Sequence, residues 1–181
     1  MKYIRSIFNR PTEVGGFTLV ETLVAIVVLL LAIVGPYQIA TRSLFAAGLA
    51  RDQITAYYLA QEPIEYLRNL RDRHGLRAKG TWLNGLSHFI SPNKCYIDTF
   101  NENTDVCADG LCATPLSYFP TPGVYAYAGV GTQQASPFTR VTQMTQINGN
   151  IEYAIAVTVS WSRGSINRSF TIREHIFNWQ P

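Results

Sequence analysis

Charge is scarce in this chain. Asp, Glu, Lys and Arg make up 15% of its 181 residues, against roughly 25% in ordinary soluble domains. The net charge is only +3, and no stretch reaches the Lys/Arg density that counterion release from nucleic acid requires, so no nucleic-acid partner is expected. Enzyme signatures are missing too. There is no G-x-S-x-G, no H-E-x-x-H and no phosphate-cradling glycine motif. His74, His88 and His175 share no short spacing with Asp, Ser or Cys. The sequence therefore assigns no catalytic residue and no cofactor, and a non-enzymatic role is expected. The length suits one domain and is too short for a two-domain cofactor enzyme. The apolar share of 47% is ordinary and excludes disorder. Together with so little charge, it implies that the apolar residues are concentrated in one region.

Cysteine is sparse as well: Cys95, Cys107 and Cys112. Their spacing, with no histidine near the last two, does not fit a zinc site. An odd count allows at most one internal bridge. Cys95–Cys107 and Cys107–Cys112 both remain open, and either needs an oxidising compartment. The cysteines flank an oxygen-rich stretch, Asp98, Asn101, Asn103, Asp105 and Asp109-Gly110. Such side chains can ligate calcium, but the spacing is not that of an EF-hand, and Asn/Asp clusters ordinarily make turns. No metal is assigned, with a calcium loop as the alternative.

The apolar residues are concentrated near the N-terminus. From Phe17 to Ala40 the only formal charge in 24 residues is Glu21. About 20 apolar residues span a bilayer as a helix. Lys2, Arg5 and Arg10 precede the span and no basic residue follows immediately, which places the N-terminus in the cytoplasm and the rest outside. An ordinary signal peptide has a shorter apolar core and a small-residue cleavage site after it. Here Gly15-Gly16 comes before the core, the order suited to a peptidase that removes only residues 1–16. A carboxylate within such a segment costs about 2.5–3.5 kcal/mol unless it is paired. Glu21 lies at i+4 from Phe17, so the amine released by cleavage, on the same chain or on a neighbour, is a natural partner. The alternative is a glutamate that snorkels to the interface.

Gly16-Phe17-Thr18-Leu19-Val20-Glu21, behind a basic leader and ahead of an apolar helix, resembles the prepilin motif of type IV pilins and type II secretion pseudopilins. The resemblance implies cleavage after Gly16 by a prepilin peptidase/methyltransferase and N-methylation at Phe17. It also implies assembly directed by Glu21, with other pilin or pseudopilin subunits, the membrane and an assembly platform as partners. The implied site is the cytoplasmic membrane before assembly and an extracytoplasmic filament after it. YLAQEPIEYLRNLRD and the strand-rich end with Trp179 resemble minor pilins or pseudopilins of the kind known as pilus modification proteins. A tip-located subunit for adhesion or DNA uptake, presenting Trp82, Tyr96, Tyr118, Tyr125 and Tyr127, is one alternative. An uncleaved signal-anchored extracytoplasmic domain is another.

The expected fold is α+β and pilin-like. A transmembrane or filament-core helix over 17–40 is followed by an amphipathic helix over 41–73, with an apolar face at Phe45, Leu49, Ala56, Ala60, Ile64, Leu67 and Leu70. Pro63 should kink it and Gly75 stop it; the alternative is two helices broken at Gly35-Pro36 or Pro63. Residues 74–137 read as a variable loop region with all three cysteines and short aromatic stretches at Thr81-Trp82-Leu83 and Val124–Tyr127, the second reading as a short strand. Residues 138–181 read as an antiparallel meander. Ile151, Tyr153, Ile155, Val157, Val159 and Trp161 alternate with small or polar residues, Asn148-Gly149 and Arg163-Gly164 mark turns, and Phe170, Ile172 and Ile176 line one face of the returning strand.

Overall fold

The structure is a computed structural model that describes residues 15–77, 82–107, 111–127, 129 and 131–178. Most of the leader, Thr81, Asp109-Gly110 and Trp179 lie outside the described residues. The chain divides into two units, residues 1–47 and 48–181. One helix, α1 (Leu19–Arg77), carries an apolar segment in the first unit and a core-facing segment in the second. The strands are β1 (Cys95–Asp98), β2 (Asn103–Val106), β3 (Ser117–Phe119), β4 (Val124–Ala126), β5 (Gln134–Ala135), β6 (Thr139–Asn148), β7 (Glu152–Arg163) and β8 (Ile166–Phe177).

The fold is α+β, a long helix on an antiparallel sheet. The main sheet has the order β2-β1-β6-β7-β8, and a small second sheet has the order β4-β3-β5. The period-two pattern of the C-terminal part dictates β7: Tyr153, Ile155, Val157, Val159 and Trp161 are all buried. Ile151 does not join them and is exposed, because it falls in the turn, where its N–H bonds Asn148 O. Gly149 and Gly164 take positive φ of 48° and 60° in the turns before and after β7, as tight hairpins require. The region read as loops holds β1 to β5. β4 falls on Val124–Tyr127, the stretch that reads as a short strand in sequence; the other four are two to four residues long, too short for a side-chain alternation to show.

Ala56, Leu59, Ala60, Ile64 and Leu67 of α1 enter the same core as the β7 residues, with Phe89, Ile97, Phe138 and Met144. Phe45, expected on this face, is 47% exposed, so the core-facing stripe begins further along. Gly35-Pro36, Pro63 and Gly75 do not end the helix. Pro63 has no N–H to offer the carbonyl four residues back, Leu59 O. That carbonyl instead accepts Nη1–H of Arg140, at 3.0 Å. Arg140 is buried, with only 1% of its surface exposed. It also donates to Glu62 Oε2 at 2.7 Å and to Ile97 O at 2.6 Å, so one guanidinium joins α1, β1 and β6.

Candidate functional site

The residues singled out by the sequence lie at the start of α1. Gly15, Gly16, Phe17 and Thr18 are exposed and non-helical, Phe17 at 78%. Nothing approaches within 4 Å of a Cβ built at Gly15 or Gly16. The Gly16–Phe17 peptide bond therefore lies in exposed, non-helical chain, two residues ahead of the helix. Thr18 is the N-cap: its Oγ1 accepts the N–H of Glu21 at 3.2 Å, and its carbonyl accepts the N–H of Thr22 at 3.1 Å. Glu21 occupies the third helical position, so Thr18-Leu19-Val20-Glu21 has the T-x-x-E spacing of a capping box. Sequence reasoning passed over Thr18, although that spacing was there to be read. A carboxylate in the first turn also faces the positive end of the helix dipole.

From Phe17 to Phe45 the large apolar side chains are exposed, among them Leu19, Val24, Leu29, Leu31, Ile33 and Ile39. Among the described residues this is the one helix long and apolar enough to cross a membrane, and its most apolar stretch has no buried residue. Exposed apolar surface of this extent marks a segment suited to contact with a membrane or another chain.

The other candidates pack into the domain. Cys107 and Cys112 form a disulfide, with Cα atoms 5.2 Å apart, and Cys95 is a free buried thiol. Its Sγ–H points to His88 O at 3.2 Å, and burial pushes its pKa up to about 11. In the oxygen-rich stretch, Asp98 and Asn103 close the β1–β2 hairpin. Asp98 accepts the Asn101 N–H and side-chain amide at 3.3 and 2.9 Å and the Tyr127 N–H at 3.2 Å. Asp105 accepts its neighbour's N–H, that of Val106, at 2.7 Å. These carboxylates hold a turn together. Among the described residues, no three His, Cys, Asp or Glu side chains are grouped to hold a metal ion.

Of the aromatics offered as a contact surface, Trp82 is buried and Tyr96, Tyr118, Tyr125 and Tyr127 are half-buried. Trp82 donates its indole N–H to Asn150 O at 2.7 Å. Tyr96 meets Tyr127 with ring centroids 5.2 Å apart, and Tyr118 meets Tyr125 at 5.0 Å. Burial raises the pKa of both Tyr125 and Tyr127. His88 is held below its ordinary pKa by burial, partly opposed by Asp105. His175 Nδ1 pairs with Glu152 at 2.6 Å. His74 lies on α1, His88 in a short 3₁₀ turn (Ser87–Phe89) and His175 on β8, so the three histidines belong to separate elements. No family model, curated protein or solved structure matches the chain.

Proposed function

We propose that this chain is a structural filament subunit, a minor pilin or pseudopilin of a type IV pilus or type II secretion filament. One observation carries the reading: the exposed Gly16–Phe17 bond stands just ahead of an exposed apolar helix with Glu21 in its first turn. In this reading a prepilin peptidase/methyltransferase cuts after Gly16 and methylates the Phe17 amine. The cut leaves a cation at the positive end of the α1 dipole, an unfavourable place for it. Glu21, four residues on, offsets that charge. Once the helices leave lipid and bury their apolar faces against one another, an unpaired Glu21 costs about 2.5–3.5 kcal/mol. Pairing with a neighbour's amine removes the penalty in one axial stagger only, which makes Glu21 a register device for assembly. The chain's work is done by packing, without catalysis or a cofactor. It waits in the cytoplasmic membrane with its N-terminus inside and ends in an extracytoplasmic filament.

The test is intact mass and N-terminal sequencing of the protein from membranes of cells with an active prepilin peptidase. A chain beginning at N-methylated Phe17 is expected. Gly16→Leu should retain the leader, and Glu21→Ala should be cleaved normally yet fail to enter filaments. A wild-type chain that keeps Met1–Gly16 would overturn the reading and leave a signal-anchored domain. Normal incorporation of the Glu21→Ala protein would remove the register role.

A further inference from the structure

A trough runs between α1 and β8. Its larger section, about 520 Å³, is lined by Ala50, Ile54, Tyr57 and Tyr58 of α1 and by Phe170. This section is apolar and open: Ile54, Tyr57 and Tyr58 are 58, 43 and 64% exposed. Tyr57 and Phe170 join the helix to the strand, with ring centroids 5.9 Å apart. A smaller section of about 220 Å³ shares Gln53 and Phe170 with the larger one and ends on Trp161 and Arg168.

The smaller section gathers donors without acceptors. Trp161 and Arg168 are cross-strand partners, and Phe170 follows Arg168 by two, so all three stand on the helix side of the sheet. Trp161 is only 5% exposed, yet its indole N–H has no hydrogen-bond partner. The Arg168 guanidinium and the Gln53 amide have none among the described residues either. Other arginines at the helix–sheet contact are engaged. Arg163 takes both oxygens of Asp52, the acid next to Gln53, and Arg68 meets Glu65 and Glu174. No Asp or Glu lines either section of the trough. The charge of Arg168 is thus uncompensated where it borders an apolar surface. Small-ligand sites have this design, an apolar cleft with a few polar groups converging at one place. One kind of molecule meets both needs. A carboxylate accepts from a guanidinium and from an orphan N–H, and an apolar chain covers the larger section. One apolar section beside one cation matches a single chain with a single head.

We infer that the trough between α1 and β8 binds a free fatty acid. Its carboxylate is held by Arg168 and the Trp161 indole N–H, and its acyl chain lies along Ile54, Tyr57, Tyr58 and Phe170. All of these residues belong to the unit 48–181, and the site does not rest on the filament reading.

Photo-crosslinking of the full chain in its native membrane, without detergent, tests the inference. The probe is decanoate with a diazirine at the end of its chain, and peptide mapping locates the label. Label on the apolar span 17–40 is the internal reference for non-specific contact. Decanoate should label residues 50–58 and the β8 segment around Phe170. Its trough-to-span ratio should be about tenfold above that of decanol carrying the same diazirine, which lacks the charge. Arg168→Gln, an exposed position with no partner to lose, should cut the decanoate ratio about tenfold and leave the decanol ratio unchanged. No label in the trough, equal ratios for acid and alcohol, or a decanoate ratio unmoved by Arg168→Gln would each overturn the inference. Equal labelling of the trough by a diazirine phosphatidylglycerol would also overturn it, since the trough would then be a general lipid-contact surface.

Discussion

At the scale of single residues, the most consequential side chain is Arg140. A buried guanidinium is normally a liability, since desolvating it costs several kcal/mol. Here Nη1 and Nη2 meet the Glu62 carboxylate and the carbonyls of Leu59 and Ile97. The Leu59 carbonyl is available because Pro63 cannot bond it, so the proline and the arginine explain one another. Glu62 is further held by the hydroxyl of Thr99 at the β1–β2 hairpin. Arg140→Met should destabilise the domain by about 3 kcal/mol, because it strands two buried carbonyls and removes the ion pair of Glu62. Pro63→Ala restores an amide for Leu59 O. In that background the same Arg140→Met change should cost about 1 kcal/mol less. Urea unfolding of the four proteins checks this, and equal costs in both backgrounds would separate the proline from the arginine.

At the scale of elements, the β7–β8 hairpin is clamped to α1. Arg163 donates from Nε and Nη2 to the two oxygens of Asp52, at 2.5 and 2.7 Å. A Cβ at Gly48 would sit 3.1 Å from the Arg163 Nη1 and 3.3 Å from its Cζ. Glycine in a helix costs about 1 kcal/mol relative to alanine, so this glycine marks the close approach of the guanidinium. Gly48→Ala should gain about 1 kcal/mol when made together with Arg163→Ala, and close to nothing in the wild-type chain, where the arginine must move aside. A double-mutant cycle by thermal unfolding measures the difference. An equal gain in both backgrounds would mean that the clamp does not constrain Gly48.

At the scale of the whole molecule, every buried residue among those described lies between Asp52 and Ile176, while the large apolar side chains from Phe17 to Phe45 are exposed. The full chain should resist alkaline carbonate extraction from membranes. A chain starting at Gly48 should be soluble and unfold cooperatively, with Tm within about 5 °C of the full chain in detergent. Aggregation of the shorter chain, or release of the full chain by carbonate, would show that the N-terminal segment belongs to the domain core.

Much of this was legible in the residues themselves. The apolar run from Phe17, the period-two alternation of β7 and the Asn148-Gly149 and Arg163-Gly164 turns are local patterns, and local patterns determine element type and the side that faces the core. The α+β layout followed from them. Glu21 and the Gly16–Phe17 bond stood out because a charge and a small-residue pair are conspicuous beside an apolar run. What the tertiary structure decided was mostly long-range. The Cys107–Cys112 bridge spans only five residues, but the sequence left it level with Cys95–Cys107, and the fold decided by burying Cys95. The short strands before β6 other than β4, the partner of the Leu59 carbonyl and the place of β8 at the sheet edge each join residues far apart in the chain or depend on strands too short to carry a period. Such contacts arise from the geometry of the folded sheet and helix, so no window of sequence contains them.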